Sequence, residues 1–196
     1  MSLTRSLRDK FRGAHMGLAL VLAERQRHQC PDHQTAPIRL LQSVLSGLLH
    51  HHDHYQHRHQ RLSQINPKLT AAEFAHCLLA GDWLETCMAN QPSASETQIG
   101  RYALSDEQHA IYQKSHRKIQ QTVVLESYAL SVHSARATEE FTLWELAITG
   151  TVIGAYGGVA ALPVSWQLSL NKMNLKRSQI IATADQNYES WAGVLT

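Results

Sequence analysis

Cysteine is scarce in this chain, and the pattern of the few cysteines argues against a disulfide framework. The 196 residues include 3 cysteines, Cys30, Cys77 and Cys87, an odd number without the C-x-x-C spacing of a metal or redox motif. Disulfide-rich secreted domains and structural zinc sites both need paired or clustered thiols. We therefore expect a protein of the reducing cytoplasm, without a cysteine-based zinc site.

A strong net charge is also lacking. Charged residues make up 17% of the chain and the formal net charge is +2, so we expect no nucleic-acid partner, which usually needs a strongly basic surface. The charge is uneven, because residues 1–61 contain nine Lys and Arg against four Asp and Glu, together with nine of the 13 histidines. This basic, histidine-rich front third is either a solvated face or a surface that attracts an anionic partner.

The alternating apolar and polar pattern of a β-strand is absent, while apolar residues recur at intervals of three or four throughout. The chain length suits one domain, so we predict a single all-α domain over residues 1–196, built as a helical bundle. The predicted helices run from Leu3 toward the segment 30–37, from Pro37 into a histidine run, from Thr70 to Met88, from Ser105 to about Ala135, from Glu139 to Leu162, and from about Leu175 to Trp191.

The histidine run LLHHHDHYQHRHQ, residues 48–60, offers a metal site of low specificity. His50, His54 and His57 share one helical face, which is a spacing that can present two imidazoles to one zinc or nickel ion. The competing interpretation is that the run continues a buried apolar stripe while most of its histidines are solvated. We favour the second interpretation, because histidines that go all round a helix cannot converge on one ion.

An uncharged segment from Leu146 to Asn171 raises the question of a membrane span. Pro163 should end the helix, which leaves about 17 residues or roughly 25 Å, less than the ~30 Å hydrocarbon core. No membrane span is therefore predicted. The spacing of Gly150, Gly154 and Gly158 also differs from phosphate-binding motifs and instead favours a core helix that another helix backbone approaches closely.

Four segments carry a resemblance to a known family. GTVIGAYGGVAALPVSW, residues 150–166, resembles the C-terminal signature of the ADP-ribosylglycohydrolase family. VVLESYALSVHSARATEEF and DKFRGAHMGLALVLAE are similar to helices of that family, and IIATADQNYESWAGV is similar to a C-terminal extension of its cyanobacterial members. The resemblance implies an all-α helical bundle like a truncated ADP-ribosylglycohydrolase fold.

The chain departs from that family where the family binds magnesium. Active members hold two magnesium ions with aspartates from three segments, including G-D-A-x-G at the end of the first helix and D-x-D-T at the start of the glycine helix. Here the first position reads Leu18-Ala19-Leu20-Val21, and the sequence 141–150 lacks the third segment. The family's magnesium ligands are therefore missing, so we expect no metal, no cofactor and no catalytic residue to carry over.

The resemblance then implies a degenerate, non-catalytic protein that acts as a binding or protein-interaction module. A remnant cleft would lie near the N-terminal end of the glycine helix, where Glu145, Thr149 and Thr151 would face Glu24 and bind a nucleotide-like ligand. A second acidic pair, Asp82 and Glu85 beside Trp83, is expected at the surface.

Two other functions stay open at this point. The chain would be an active metal-dependent ADP-ribosyl or N-glycoside hydrolase if Asp32, His33 or the 50–59 run supplied unusual ligands. Alternatively, it would be an assembly or regulatory factor that docks an acidic protein through its basic front third. An unidentified protein partner is expected in the first and last cases, and a homo-oligomer is compatible with all three.

Overall fold

The structure, a computed structural model, describes residues 6–28, 68–89, 102–125, 141–162, 164–170 and 176–193, together with 42, 45, 60 and 62–64. Within these residues the chain is helical and contains no strand, which confirms the all-α prediction. The described ranges contain six α-helices: α1 Leu7–His28, α2 Ala71–Met88, α3 Asp106–Leu125, α4 Leu143–Gly157, α5 Val164–Ser169 and α6 Arg177–Trp191. None of the described helices is long and apolar enough to cross a membrane.

Local sequence signals set the starts of two of these helices. Thr70 precedes α2 and its hydroxyl accepts a hydrogen bond from Glu73 N at 3.2 Å, while the Glu73 carboxylate accepts one from Thr70 N at 2.9 Å. Thr142 and Glu145 repeat this arrangement at α4, with distances of 3.2 and 2.7 Å. Each capping box pairs N–H groups that the helix itself leaves without partners.

The ends of α4 differ from the prediction. The helix begins at Leu143, after the Thr142 cap, rather than at Glu139, which lies outside the described residues. It ends at Gly157 rather than at Leu162, because Gly158 has a φ of 68° and breaks the helical backbone before a 3₁₀ turn at Val159–Ala161. Most of the predicted histidine-run helix lies outside the described residues. The predicted continuation of the next-but-one helix over residues 126–135 lies wholly outside them.

Helices α1 and α4 cross at a seam of glycines. A Cβ added at Gly150 would lie 2.7 Å from Gly17 O, and Cβ atoms at Gly13 or Gly154 would overlap a backbone carbonyl oxygen of the other helix. The two backbones are therefore in direct contact. This confirms that the glycine helix is a tightly crossed core helix, where close approach offsets the poor helix propensity of glycine.

Apolar side chains fill the space on both sides of this crossing. On one side a core joins α1, α2, α3 and α4, and its most buried members include Phe11, Leu78, Trp83 and Tyr112. A smaller cluster joins α1 and α4 to the C-terminal part of the chain through residues such as Met16, Leu20 and Ile153.

Helix α6 docks on α1 through charged, polar and aromatic contacts. Arg12 forms a two-pronged ion pair with Asp185, with both N–O distances at 2.7 Å, and Arg8 Nε lies 3.0 Å from the same carboxylate. His15 Nδ1 donates to Phe11 O, so its Nε2 accepts from Asn187 Nδ2 at 2.8 Å. Two arginines of the basic front third therefore bind within this chain.

The α1–α6 contact should weaken in strong acid. Hydrogen bonds from Arg12 and then Arg8 hold the pKa of Asp185 at about 2, below its ordinary value of 3.8. Because this pKa is depressed by folding, the stabilisation is present above about pH 4 and is lost as the pH falls through about 2. We expect Asp185→Asn to flatten the fall of the urea midpoint over that range relative to the wild type.

Candidate functional site

The residues predicted to line a cleft lie at the N-terminal half of α4. Glu145, Thr149 and Thr151 are all buried, at 2, 5 and 2% exposure. The two threonine hydroxyls donate to carbonyl oxygens of their own helix, Thr149 to Glu145 O at 2.7 Å and Thr151 to Ala147 O at 2.8 Å. Glu145 and Thr149 share a face because they are one turn apart, while Thr151 projects from a different face. Glu24 is part of α1, and its side chain lies outside the described residues.

The Glu145 carboxylate is fully engaged by neighbouring donors. One oxygen accepts from Thr142 N at 2.7 Å and from Lys118 Nζ at 3.3 Å, and the other accepts from Ser115 Oγ at 2.9 Å. Burial alone would raise the pKa of Glu145, but the bonds from Thr142 and Ser115 and the charge of Lys118 hold it below its ordinary value. The side chain is therefore an ionised, internally neutralised group.

A histidine extends this arrangement into what we call the Glu145 cluster, consisting of His76, Ser115, Lys118 and Glu145. His76 Nε2 lies 3.0 Å from Ser115 Oγ, and its Nδ1 lies 2.7 Å from Ala72 O. The imidazole also stacks on Trp144, with ring centroids 5.8 Å apart. Burial lowers the pKa of His76, against the opposing effects of Ala72 O and Glu145. The cluster joins α2, α3 and α4.

A second buried carboxylate corrects the prediction of a surface acidic pair. Asp82 is 0% exposed, and its two oxygens accept hydrogen bonds from Tyr102 Oη at 2.6 Å and Tyr112 Oη at 2.5 Å. Glu85 is partly buried. The buried carboxylate is tolerated because short bonds from two phenols replace its hydration.

Aromatic rings line the core beside this carboxylate. Trp83 stacks on His116 with centroids 5.6 Å apart, and His116 stacks on Tyr112 at 6.2 Å. The indole nitrogen of Trp83 is buried and has no hydrogen-bond partner among the residues that the structure describes. These contacts make the Asp82 region a packed core.

The described cysteines are poor candidates for nucleophiles. Cys77 and Cys87 are free and buried, and burial raises the pKa of each thiol to about 12. Both therefore stay protonated at neutral pH, and a protonated thiol is neither a good nucleophile nor a metal ligand. Lys10 is buried beside Cys87 and donates from Nζ to Cys87 O at 2.5 Å.

Metal-ligand geometry can be judged only for the described part of the chain. There, no three or more His, Cys, Asp or Glu side chains lie together in a way that could hold a metal ion. Asp32, His33 and the 50–59 run, which the hydrolase alternative needs, lie outside the described residues.

Comparisons with protein-family models, with curated proteins and with solved structures gave no match to this chain. The resemblance to ADP-ribosylglycohydrolases therefore rests on the four segments quoted above.

Proposed function

We propose that this chain is a non-catalytic, ADP-ribosylglycohydrolase-like protein that works as a binding or protein-interaction module. The observation that carries the proposal is the state of Glu145. It is the only acidic residue between positions 141 and 150, where the resemblance would place a magnesium-binding segment. Its carboxylate instead faces the Lys118 ammonium at 3.3 Å.

A lysine in this position leaves the carboxylate little capacity for a divalent cation. Mg²⁺ takes six oxygen ligands in near-ideal octahedral geometry and usually needs carboxylates that can turn toward it. Glu145 would have to give up hydrogen bonds from Ser115 and Thr142 in a buried environment, at 2% exposure. Leaving buried donors unpaired costs about 1–3 kcal/mol each.

The alternative of a basic docking surface receives less support. Three basic side chains of the front third are described, and all three contact groups of this same chain. Arg8 and Arg12 bind Asp185, and Lys10 binds Cys87 O. The described basic side chains of the front third therefore bind α1 to α2 and α6.

A turnover assay tests the proposal. We expect the full chain to release no ADP-ribose from an ADP-ribosylated arginine peptide in the presence of Mg²⁺, while free ADP-ribose raises its melting temperature. Metal-dependent turnover would contradict the proposal. The Glu145→Gln variant, which keeps the size of the side chain, is the matched control: any turnover that it abolishes would place the reaction at α4.

A further inference from the structure

Three short polar contacts run in series from α2 to α4. His76 Nδ1 lies 2.7 Å from Ala72 O, His76 Nε2 lies 3.0 Å from Ser115 Oγ, and Ser115 Oγ lies 2.9 Å from Glu145 Oε1. A backbone carbonyl only accepts, so the ring hydrogen must sit on Nδ1. The serine hydroxyl then has one hydrogen for two neighbours, Nε2 and Oε1, neither of which carries one while the ring is neutral and the carboxylate ionised.

We propose that this chain of His76, Ser115 and Glu145 is a proton-operated lock between α2, α3 and α4. When one further proton binds, the imidazolium donates from Nε2 to Ser115 Oγ, and the hydroxyl donates to Glu145 Oε1. All three contacts are then hydrogen bonds, and a buried cation and a buried anion are linked through one hydroxyl. Without that proton, the hydroxyl can donate to only one neighbour. The lone pairs of Ser115 Oγ then face those of the other neighbour, either His76 Nε2 or Glu145 Oε1.

The charges around the ring decide how the lock responds to pH. Glu145 on α4 favours the imidazolium, while Lys118 on α3, bonded to the other carboxylate oxygen at 3.3 Å, partly cancels that effect. His116, next to Ser115 on α3, is stacked between Trp83 and Tyr112. On α2 itself, the Glu73 carboxylate is bound at the Thr70 cap. Because burial lowers the pKa of His76, the extra proton should enter at mildly acidic pH.

Long-range ¹H–¹⁵N spectra of the histidine rings, recorded from neutral to mildly acidic pH, test the lock. In the wild type we expect the neutral His76 ring to carry its hydrogen on Nδ1. In Ser115→Ala the imidazolium loses its acceptor, so we expect the titration midpoint to fall by about one pH unit, a tenfold loss of proton affinity.

Glu145→Gln supplies the missing hydrogen without a charge. Its carboxamide oxygen can keep the bond from Thr142 N while its NH₂ donates to Ser115 Oγ, so that the hydroxyl donates to Nε2 and the chain is complete with a neutral ring. We expect the His76 midpoint to fall by at least tenfold in proton affinity in this variant too. If Ser115 had a purely steric role, the His76 midpoint in Ser115→Ala would stay at its wild-type value, whereas the loss of the Glu145 charge alone already lowers the midpoint in Glu145→Gln.

His15 provides the internal control. It is partly buried on α1, but its two ring nitrogens already have matched partners in Phe11 O and Asn187 Nδ2, and its midpoint should stay unchanged in both variants. A neutral His76 ring with its hydrogen on Nε2, or a His76 midpoint that is the same in the wild type and in both variants, would overturn the proposal. The wild-type spectrum shows which ring nitrogen of neutral His76 carries the hydrogen, so this part of the test does not depend on the folding of a variant.

Discussion

Replacing Gly154 by alanine should lower the free energy of unfolding by about 3 kcal/mol or more, at or beyond the upper end for overpacked cores. The new methyl group would overlap the carbonyl oxygen of Gly13, a backbone atom that cannot rotate away. Helices α1 and α4 would have to separate, and the apolar residues on both sides would lose contacts. Urea unfolding followed by far-ultraviolet circular dichroism measures the loss.

Gly193→Ala is the matched control for this substitution. Gly193 has a φ of 68°, and among the described residues no atom lies within 4 Å of an added Cβ. The same methyl group should therefore cost only the strain of a left-handed residue, about 1–2 kcal/mol. Equal losses in the two variants would show that the crossing of α1 and α4 is looser than described.

Asp82→Ala should be similarly destabilising, with a loss of about 2–5 kcal/mol from two broken buried hydrogen bonds. The Asp82 side chain is fully buried and accepts hydrogen bonds from the hydroxyls of Tyr102 and Tyr112, so truncation breaks both bonds inside the core. The same urea experiment measures this loss.

Tyrosine-to-phenylalanine variants separate the hydrogen bonds from the loss of packing. Tyr102→Phe and Tyr112→Phe each remove one hydrogen bond to the buried Asp82 side chain and should cost about 1–3 kcal/mol. Asp82→Ala should cost less in either background than in the wild type, because one hydroxyl no longer needs a partner. Strict additivity would mean that the phenols do not stabilise the carboxylate.

Features that depend on neighbouring residues could be predicted from the sequence. The cap at Thr70 follows from the Glu73 side chain three positions later, and the close approach at Gly150 and Gly154 follows from the cost of glycine in a helix. The same spacing at Thr142 and Glu145 also marks a cap, but the predicted helix start at Glu139 missed it. The end of α4 was misplaced because Pro163 is the more conspicuous helix breaker, whereas the break depends on the positive φ of Gly158.

The partners of the buried acids could not be predicted in this way. Tyr102 and Tyr112 lie 20 and 30 positions from Asp82, and Ser115 lies 30 positions from Glu145. A polar residue on a helix has the same local pattern whether it faces water or a distant donor, so only the packing of α2, α3 and α4 assigns these pairs. The expectation that Asp82 is exposed was wrong for this reason.

The central claim concerns Glu145, the only acidic residue of the segment 141–150. Its carboxylate is bound by Lys118, Ser115 and Thr142 and is therefore not available to a cation. The most direct measurement is the ¹³C chemical shift of Glu145 Cδ during titration with millimolar Mg²⁺, with the Lys118→Met variant as a check that the resonance responds when the nearby ammonium is removed. The account predicts no Mg²⁺-dependent change in the wild type. A saturable shift of this resonance with Mg²⁺ would contradict it.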